Sequence, residues 1–380
     1  PRVAYAELNT NYYLDDQGQQ PPGQQPPPQP PAQNIPNDLK SGLWGLHNTG
    51  QNNGKPDADI DAPEAWHLHT GSRNGPVIAV IDTGIDYNHP DLKANMWTNP
   101  GEIAGNGIDD DGNGVIDDVH GFNAFANNGN PMDGHSHGTH CAGTIAAVGN
   151  NDEGVVGVNH EAQLMAVKIF SDGGSTNAAA IIRGINYATR MGARITSNSW
   201  GGGAANQAIY DAFNTSPALH IMAAGNSSGN NDVNPHYPSN YDLPNNVAVA
   251  ASDRNDNRAS FSCYGATTVD IAAPGRDILS TVPGGGYASK SGTSMATPHV
   301  AGVAGLVASL YPEASNEEIQ YRLYEGADKL SNWQGVVVDG RRLNAYGALT
   351  TAPPAPPAPP QPQPPAEQPP AGQQPPVGQG

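Results

Sequence analysis

Three histidines and a cysteine fall within seven positions, in the stretch HSHGTHC at residues 135–141. A helix would place His137, His140 and Cys141 on one face, because they are separated by three and four residues. Histidine and cysteine are common zinc ligands. One of the imidazoles acting alone as a general base is the alternative. At this point a zinc-dependent hydrolase and metal-free acid–base chemistry both stay open.

Two residues elsewhere have types and positions suited to chemistry. Asp82 directly follows the apolar run VIAVI. A carboxylate there is either a helix-capping or loop residue, or a buried acid that orients a base. Ser294 lies at the start of a long apolar segment, where it is either a helix N-cap or a nucleophile. A helix N-terminus favours the second role as well, since its amides and dipole stabilise a developing oxyanion.

Short apolar runs alternate with helical patterns through the middle of the chain. This alternation predicts an α/β protein with a three-layer, doubly wound fold around a mostly parallel central sheet. In such folds functional groups gather at the carboxyl ends of the strands. The expected strands are 77–81, 164–170, 194–199, 220–224, 247–251 and 269–272, and the expected helices are 176–191, 206–213 and 294–310, the last buried on nearly all sides.

Composition sets limits on the function. The net charge of −19 argues against nucleic acid and anionic membrane as partners. No run of 18 apolar residues is present, and two cysteines do not form a disulfide framework. The segments 17–36 and 352–380 are nearly pure Pro, Gln, Gly and Ala, which is typical of extended linkers.

Four motifs resemble those of the subtilisin-like serine proteases, the subtilases. IDTGID, HGTHCAGT and GTSMATPH occur in the order Asp, His, Ser that the family shows, and AAGN is similar to its oxyanion motif. The resemblance covers about residues 37–350. It implies a C-terminal remnant of an inhibitory propeptide at 1–14 and a peptidase domain at 37–350, and the Pro/Gln-rich composition makes 15–36 a linker and 351–380 a linker or disordered tail.

The resemblance implies a catalytic role for four residues and no catalytic metal. Ser294 would attack the scissile carbonyl and carry the acyl-enzyme, and His137 would transfer its proton. Asp82 would orient the imidazole, and the Asn226 amide together with the Ser294 backbone N–H would bind the oxyanion.

The family's substrate-binding segments match glycine-rich stretches of this chain. An extended peptide would pair with them through main-chain hydrogen bonds. The lining of the S1 pocket is small and uncharged, so we expect apolar or aromatic P1 residues, with His236 near the base of the pocket. The implied residues are Gly173, Gly174, Ser199, Trp200, Gly201, Ala223, Ala224 and Gly225.

Calcium is predicted at two places. The stretch NGIDDDGNGVIDD has the spacing of an EF-hand-type loop, although His120 stands where the bidentate Glu would be. A second site, which joins the N-terminal segment to the loop after the catalytic helix, is implied by the resemblance alone. The expected ligands are Asp109, Asp111, Asn113, Val115 and Asp117 in the first, and Asp38, Asp91, Val148, Asn151, Glu153 and Val155 in the second.

The leading hypothesis is therefore a secreted, calcium-stabilised serine endopeptidase of broad specificity. Its expected partners are polypeptide substrates and its own propeptide, and we expect a monomer that binds neither nucleic acid nor membrane. A zinc-dependent hydrolase and a catalytically silent calcium-binding scaffold are the alternatives.

Overall fold

The computed structural model describes residues 35–354. The predicted propeptide remnant at 1–14, and nearly all of the predicted linker at 15–36 and tail at 351–380, lie outside this range. The fold that follows is that of the predicted peptidase domain.

The strands of the described chain are β1 (Val77–Asp82), β2 (Gly121–Asn123), β3 (Gln163–Lys168), β4 (Ile195–Asn198), β5 (Leu219–Ala223), β6 (Asn246–Ser252), β7 (Ile271–Pro274), β8 (Ile278–Val282), β9 (Gly286–Lys290), β10 (Asp328–Lys329) and β11 (Arg341–Arg342). Nine of them form one central sheet, in the order β10–β11–β7–β6–β5–β4–β1–β3–β2, and all neighbours in it are parallel except β10 and β11. A separate antiparallel hairpin consists of β8 and β9.

Helices cover both faces of the sheet. They are α1 (Ala62–Trp66), α2 (His137–Ala146), α3 (Ala178–Arg190), α4 (Gln207–Asn214), α5 (Thr293–Leu310), α6 (Asn316–Glu325) and α7 (Ala345–Thr350), with 3-10 turns at Gln51–Asn53, Lys93–Asn95, Ser331–Trp333 and Val338–Gly340. Side chains of β1 alternate between the two layers: Ile78 and Val80 pack into a core with α2 and α5, whereas Ala79 and Ile81 pack into a core with α3 and α4.

The predicted α/β fold class is confirmed, and each predicted strand and helix is present with shifted ends. The largest shift is in β7, which was expected at 269–272 and spans Ile271–Pro274. Segment 294–310 is the buried helix α5, which begins one residue earlier than predicted. No helix of the described residues is long and apolar enough to span a membrane. Several elements were not predicted from the sequence, namely α1, β2, the β8–β9 hairpin, α6, β10, β11 and α7.

Candidate active site

The predicted catalytic residues lie at the carboxyl edge of the sheet and at the start of two helices. Asp82 is the last residue of β1, and His137 is the first residue of α2. Ser294 is the second residue of α5. A glycine allows α2 to approach β1 closely, because a Cβ on Gly138 would lie 2.1 Å from the carbonyl oxygen of Gly84. The fold therefore brings a strand end and two helix starts to one edge.

Asp82 and His137 form a hydrogen-bonded pair. The His137 Nδ1 and Asp82 Oδ1 atoms are 2.8 Å apart, with the carboxylate buried and a quarter of the imidazole exposed. Burial disfavours the imidazolium, but the charge and hydrogen bond of Asp82 and the neighbouring Cys141 together outweigh burial, and they hold the pKa of His137 well above its ordinary value. The imidazole is thus a base whose Nδ1 is fixed by a carboxylate.

Ser294 meets the first turn of α2 through Cys141. The Cys141 thiol lies 4.0 Å from His137 Nδ1 and donates to the Ser294 carbonyl oxygen at 3.4 Å. The Ser294 hydroxyl donates to the carbonyl oxygen of Ser199 at 3.0 Å, and the Ser199 hydroxyl donates to that of Ser294 at 2.9 Å. Among the described residues no hydrogen bond joins the Ser294 hydroxyl to His137, so the hydroxyl must give up its bond to the Ser199 carbonyl before it can transfer a proton to the imidazole.

Asn226 is fixed so that its amide nitrogen stays available as a donor. Its side-chain oxygen accepts from the backbone N–H of Thr293 at 2.8 Å and from the Thr293 hydroxyl at 3.0 Å. A Cβ placed on Gly292 would lie 3.6 Å from Asn226 Nδ2 and 3.5 Å from the Ser294 backbone nitrogen. Two donors therefore border the same small space beside Ser294, as an oxyanion site requires.

The predicted substrate-binding residues lie around this edge, and some are exposed while others are buried. Gly173 and Gly174 are exposed, and Gly201 is exposed after the end of β4. Ala223 and Ala224 are buried. A Cβ on Gly201 or on Gly225 would come within 3 Å of the His236 ring, so this histidine packs against both glycines, where it was expected. Burial lowers the pKa of His236.

An apolar cavity lies beside the exposed glycines. Its volume is about 140 Å³. Trp200, predicted as a pocket residue, lines it and stacks on Phe213 with ring centroids 6.2 Å apart. Gly201, also predicted, lines it as well, whereas Phe170, Ile181, Ile209, Tyr237 and Tyr241 were not predicted from the sequence.

The histidine cluster does not converge on one point. His140 directs Nε2 at the carbonyl oxygens of Ile278 and Ala288 in the β8–β9 hairpin, 3.0 Å from each. Burial lowers the pKa of His140 to about 4, which keeps it neutral and able to donate there. His135 is exposed, with its ring centroid 6.5 Å from that of His137. His140 and His135 therefore do not converge with His137, whose ligand atom lies within 4.8 Å of those of Asp82 and Cys141.

The second predicted calcium region joins the N-terminal segment to the loop after α2. Asp38 and Asp91 are both buried there. Asp91 accepts from the Asn151 side-chain amide at 2.8 Å and from the Val155 N–H at 2.9 Å, and the Val148 N–H donates to the Asp91 carbonyl oxygen. Burial, reinforced by the Asp38 charge, raises the pKa of Asp91.

This region fits a cation. Asp38 Oδ1 is buried and has no hydrogen-bond partner among residues 35–354. The backbone N–H of Asn151 donates to the other oxygen of Asp38, and the N–H of Glu153 donates to the Asn151 side-chain oxygen. Two buried carboxylates with an open oxygen are the kind of oxygen ligands that calcium prefers.

The acidic loop, defined as residues 99–118, contains the other predicted site. Carboxylate oxygens of Glu102, Asp109 and Asp111 lie within 4.8 Å of one another. Glu102 Oε2 is buried without a partner among the described residues. Glu102 lies before the EF-hand-like spacing, so that spacing gave no signal for it.

The remaining predicted ligands of the acidic loop have partners of their own. Asp117 accepts from the N–H groups of Gly105 and Gly107, at 2.8 and 3.1 Å. Asn113 donates through its side-chain amide to Asp111 and Asp118, and its oxygen accepts from the Val115 N–H. Asp109 and Asp111 also accept hydrogen bonds within the loop, from the N–H groups of Gly114 and Asn113, but their carboxylates converge with that of Glu102 and so form the part of the loop that fits a cation.

Comparisons with known proteins agree with this geometry. The profile of the subtilase family, peptidase S8, matches residues 73–348. Thermitase of Thermoactinomyces vulgaris is 43% identical over 293 residues, which cover 76% of this chain and 93% of thermitase. Subtilisin Savinase of Lederbergia lenta is 40% identical over 277 residues, covering 72% and 90% of the two chains.

A solved structure is similar as well. A protease from Pseudoalteromonas arctica aligns with a TM-score of 0.67 at 27% identity, over 83% of this chain and 98% of that one. Several other curated relatives are longer, and the matched region spans only 51% to 64% of them.

Proposed function

Because the chain belongs to the subtilase family of serine endopeptidases, we propose that it hydrolyses internal peptide bonds through Ser294, His137 and Asp82. The observation that carries the proposal is the contact between α2 and the first turn of α5, which Cys141 makes. That contact sets the Asp82–His137 pair beside Ser294.

Each proposed step has a residue suited to it. Ser294 Oγ attacks the peptide carbonyl carbon while His137 Nε2 takes the hydroxyl proton, and Asp82 holds Nδ1 and stabilises the imidazolium. The Asn226 amide and the Ser294 N–H donate to the oxyanion. His137 then protonates the leaving amine, and the acyl group stays on Ser294 until water, activated by the same imidazole, releases the acid.

We place the substrate as an extended strand along the exposed glycines at 173–174 and 201–203. The cavity lined by Trp200 takes an apolar side chain upstream of the scissile bond, since its walls are mainly aromatic and aliphatic. The gap between the ends of β4 and β5, with His236 at its base, takes the P1 side chain, and we propose apolar or aromatic P1 residues.

We also propose that calcium stabilises the enzyme at two sites. Asp38 and Asp91 with the loop at 148–155 form one, and Glu102, Asp109 and Asp111 form the other. Bound calcium neutralises carboxylates that otherwise face each other, and it supplies no step of the reaction. Sites of this kind are filled where calcium is plentiful, which fits a secreted protease.

Replacement of Ser294 by Ala tests the catalytic proposal. We expect casein hydrolysis to fall by at least 10³-fold, since only binding and oxyanion stabilisation remain. A fluorophosphonate should label the wild-type protein and not the variant, and phenanthroline should leave the wild type active. Full activity of the variant would overturn the proposal. Inhibition by phenanthroline without labelling would favour the zinc alternative, and a wild type that is neither active nor labelled would favour the scaffold.

A further inference from the structure

A buried carboxylate outside the proposed triad organises the start of α2. Asp133 lies in the segment between β2 and α2 and is 3% exposed. Its Oδ1 accepts from the Thr83 hydroxyl at 2.9 Å and from the N–H groups of His135 and Ser136 at 2.8 and 3.0 Å. Its Oδ2 accepts from the N–H and the hydroxyl of Thr139, at 3.0 and 2.6 Å.

Asp133 thereby serves as the cap of the helix that begins with His137. The first N–H groups of a helix have no partner within it. The residue before the helix, Ser136, makes no side-chain cap and has a left-handed backbone with φ of 88°. Asp133 satisfies Thr139 and also holds the backbone of His135 and Ser136, so it fixes the chain on both sides of His137.

The same carboxylate is connected to Asp82 through Thr83. The Thr83 hydroxyl donates to Asp133 and accepts from the Gly138 N–H at 2.8 Å. The Thr83 N–H donates to Asp82 Oδ1 at 2.7 Å, and this oxygen also bonds the His137 imidazole. A closed set of hydrogen bonds therefore joins the end of β1 to the first turn of α2.

We propose that Asp133 is a positioning residue for the reaction. Through Thr83 it sets the distance and direction between Asp82 and His137. The inference rests on the proposed function, because it assigns a purpose to the geometry of that pair. Asp133 touches neither substrate nor the reacting atoms, and acts only through the placement of His137.

The first test is Asp133→Asn. In either orientation of the amide, its NH2 group faces donors from which Asp133 accepts, either Thr139 or Thr83 with His135 and Ser136, so half of the network is lost while the volume is kept. We expect kcat to fall about 10- to 100-fold, the size of effect that a small misplacement of a catalytic group produces, with KM within about twofold. A looser Asp82–His137 pair also lowers the pKa of His137, so the acid limb of kcat/KM moves to lower pH.

The second variant, Thr83→Val, separates positioning from charge and from folding. It cuts the connection to Asp82 without removing a negative charge, and Asp133 can still cap α2. We expect a fall in kcat of about 3- to 10-fold and a shift of the acid limb in the same direction. The double variant should lose little more than Asp133→Asn alone, because both changes break one network.

Asp86→Asn is the matched control. Asp86 is also a buried carboxylate near α2, but it accepts from Asn88 and Gly284 and has no bond to Thr83. We expect it to lower the melting temperature with kcat per fluorophosphonate-titrated site and the acid limb unchanged. If Asp133→Asn and Thr83→Val behave like Asp86→Asn, the inference is wrong. Absence of Ser294 labelling in the wild type would instead overturn the proposed function.

Discussion

The active centre and the acidic loop both contain carboxylates with a buried oxygen, but these carboxylates have different neighbours. Asp82 faces the His137 imidazole and accepts the Thr83 N–H, so a titratable base within the fold supports its charge. Glu102 faces Asp109 and Asp111, which carry the same charge. We expect the active centre to keep its geometry through the protein's own hydrogen bonds, and the acidic loop to need a bound cation.

This difference separates catalysis from stability. Groups that the protein holds in place without an ion keep their geometry when the ion is removed, because their hydrogen bonds come from β1, α2 and α5. Like charges held at 4.8 Å or less repel each other, so we expect the loop that carries them to open unless a cation neutralises them. Changes in the active centre should therefore alter kcat, and changes at the cation sites should alter the free energy of unfolding.

Asp82→Asn should have the largest effect. The amide nitrogen donates to His137 Nδ1 and so favours the tautomer with the proton on Nε2, which cannot accept from Ser294. We expect kcat to fall about 10³- to 10⁴-fold. Because Asp82 raises the pKa of His137, its replacement lowers that pKa, and the acid limb of the residual kcat/KM moves to lower pH. Stopped-rate assays with a chromogenic peptide across a wide pH range measure both.

If the active centre and the cation sites are independent, Asp82→Asn should keep the stability and the calcium response of the wild type. Its melting temperature in calcium, and the drop on chelation, should match those of the wild type within about 2 °C, a difference that corresponds to about 1 kcal/mol in a domain of this size. A large loss of stability with little change in kcat would contradict the separation of the two regions.

Calcium removal should have the next largest effect, and on stability alone. A cation that binds only the folded state contributes about 2.7 kcal/mol when present at about 100 times its Kd. For a domain of this size we expect chelation to lower the melting temperature by about 4 °C per site. Calorimetry of the Ser294→Ala protein avoids self-digestion. The wild type, assayed at room temperature directly after chelation, should keep its kcat per titrated site.

An unchanged melting temperature in chelator would show that neither site needs a cation. Loss of kcat at room temperature without unfolding would show that the cation sites control the active centre. In that case the hydrogen bonds around His137 would not be sufficient to hold it.

The sequence predicted the active centre better than the loop, for a physical reason. Asp82 and His137 are 55 residues apart, but each belongs to a regular element, and the carboxyl ends of parallel strands meet at one edge. Resemblance to the subtilases supplied the pairing. The path of the chain between β2 and α2 follows no period, so nothing in the sequence indicated Asp133.

In the acidic loop, local spacing could identify oxygen-bearing residues but not the direction in which each one points. Asp117 occupies an EF-hand position, yet its carboxylate accepts from Gly105 and Gly107. Glu102 lies outside the spacing and reaches the cluster because the preceding turn folds back, with the N–H groups of Asp110 and Asp111 donating to it. The β8–β9 hairpin that holds His140 was missed because its second strand is only partly buried and shows no clear alternation.

Glu102→Gln should have the smallest effect and tests the composition of the acidic loop directly. The change removes one negative charge beside Asp109 and Asp111 and keeps an oxygen, so we expect calcium affinity at this loop to fall about tenfold, with the melting temperature in saturating calcium nearly unchanged. Terbium luminescence titration in the Ser294→Ala background measures the affinity. Asp110→Asn is the matched control, because Asp110 is in the same loop but accepts from Ile103 and Asn106 instead of facing the cluster. Equal losses in the two variants would mean that the loop attracts cations only through its total charge. A loss confined to Glu102→Gln would identify Glu102 as a ligand.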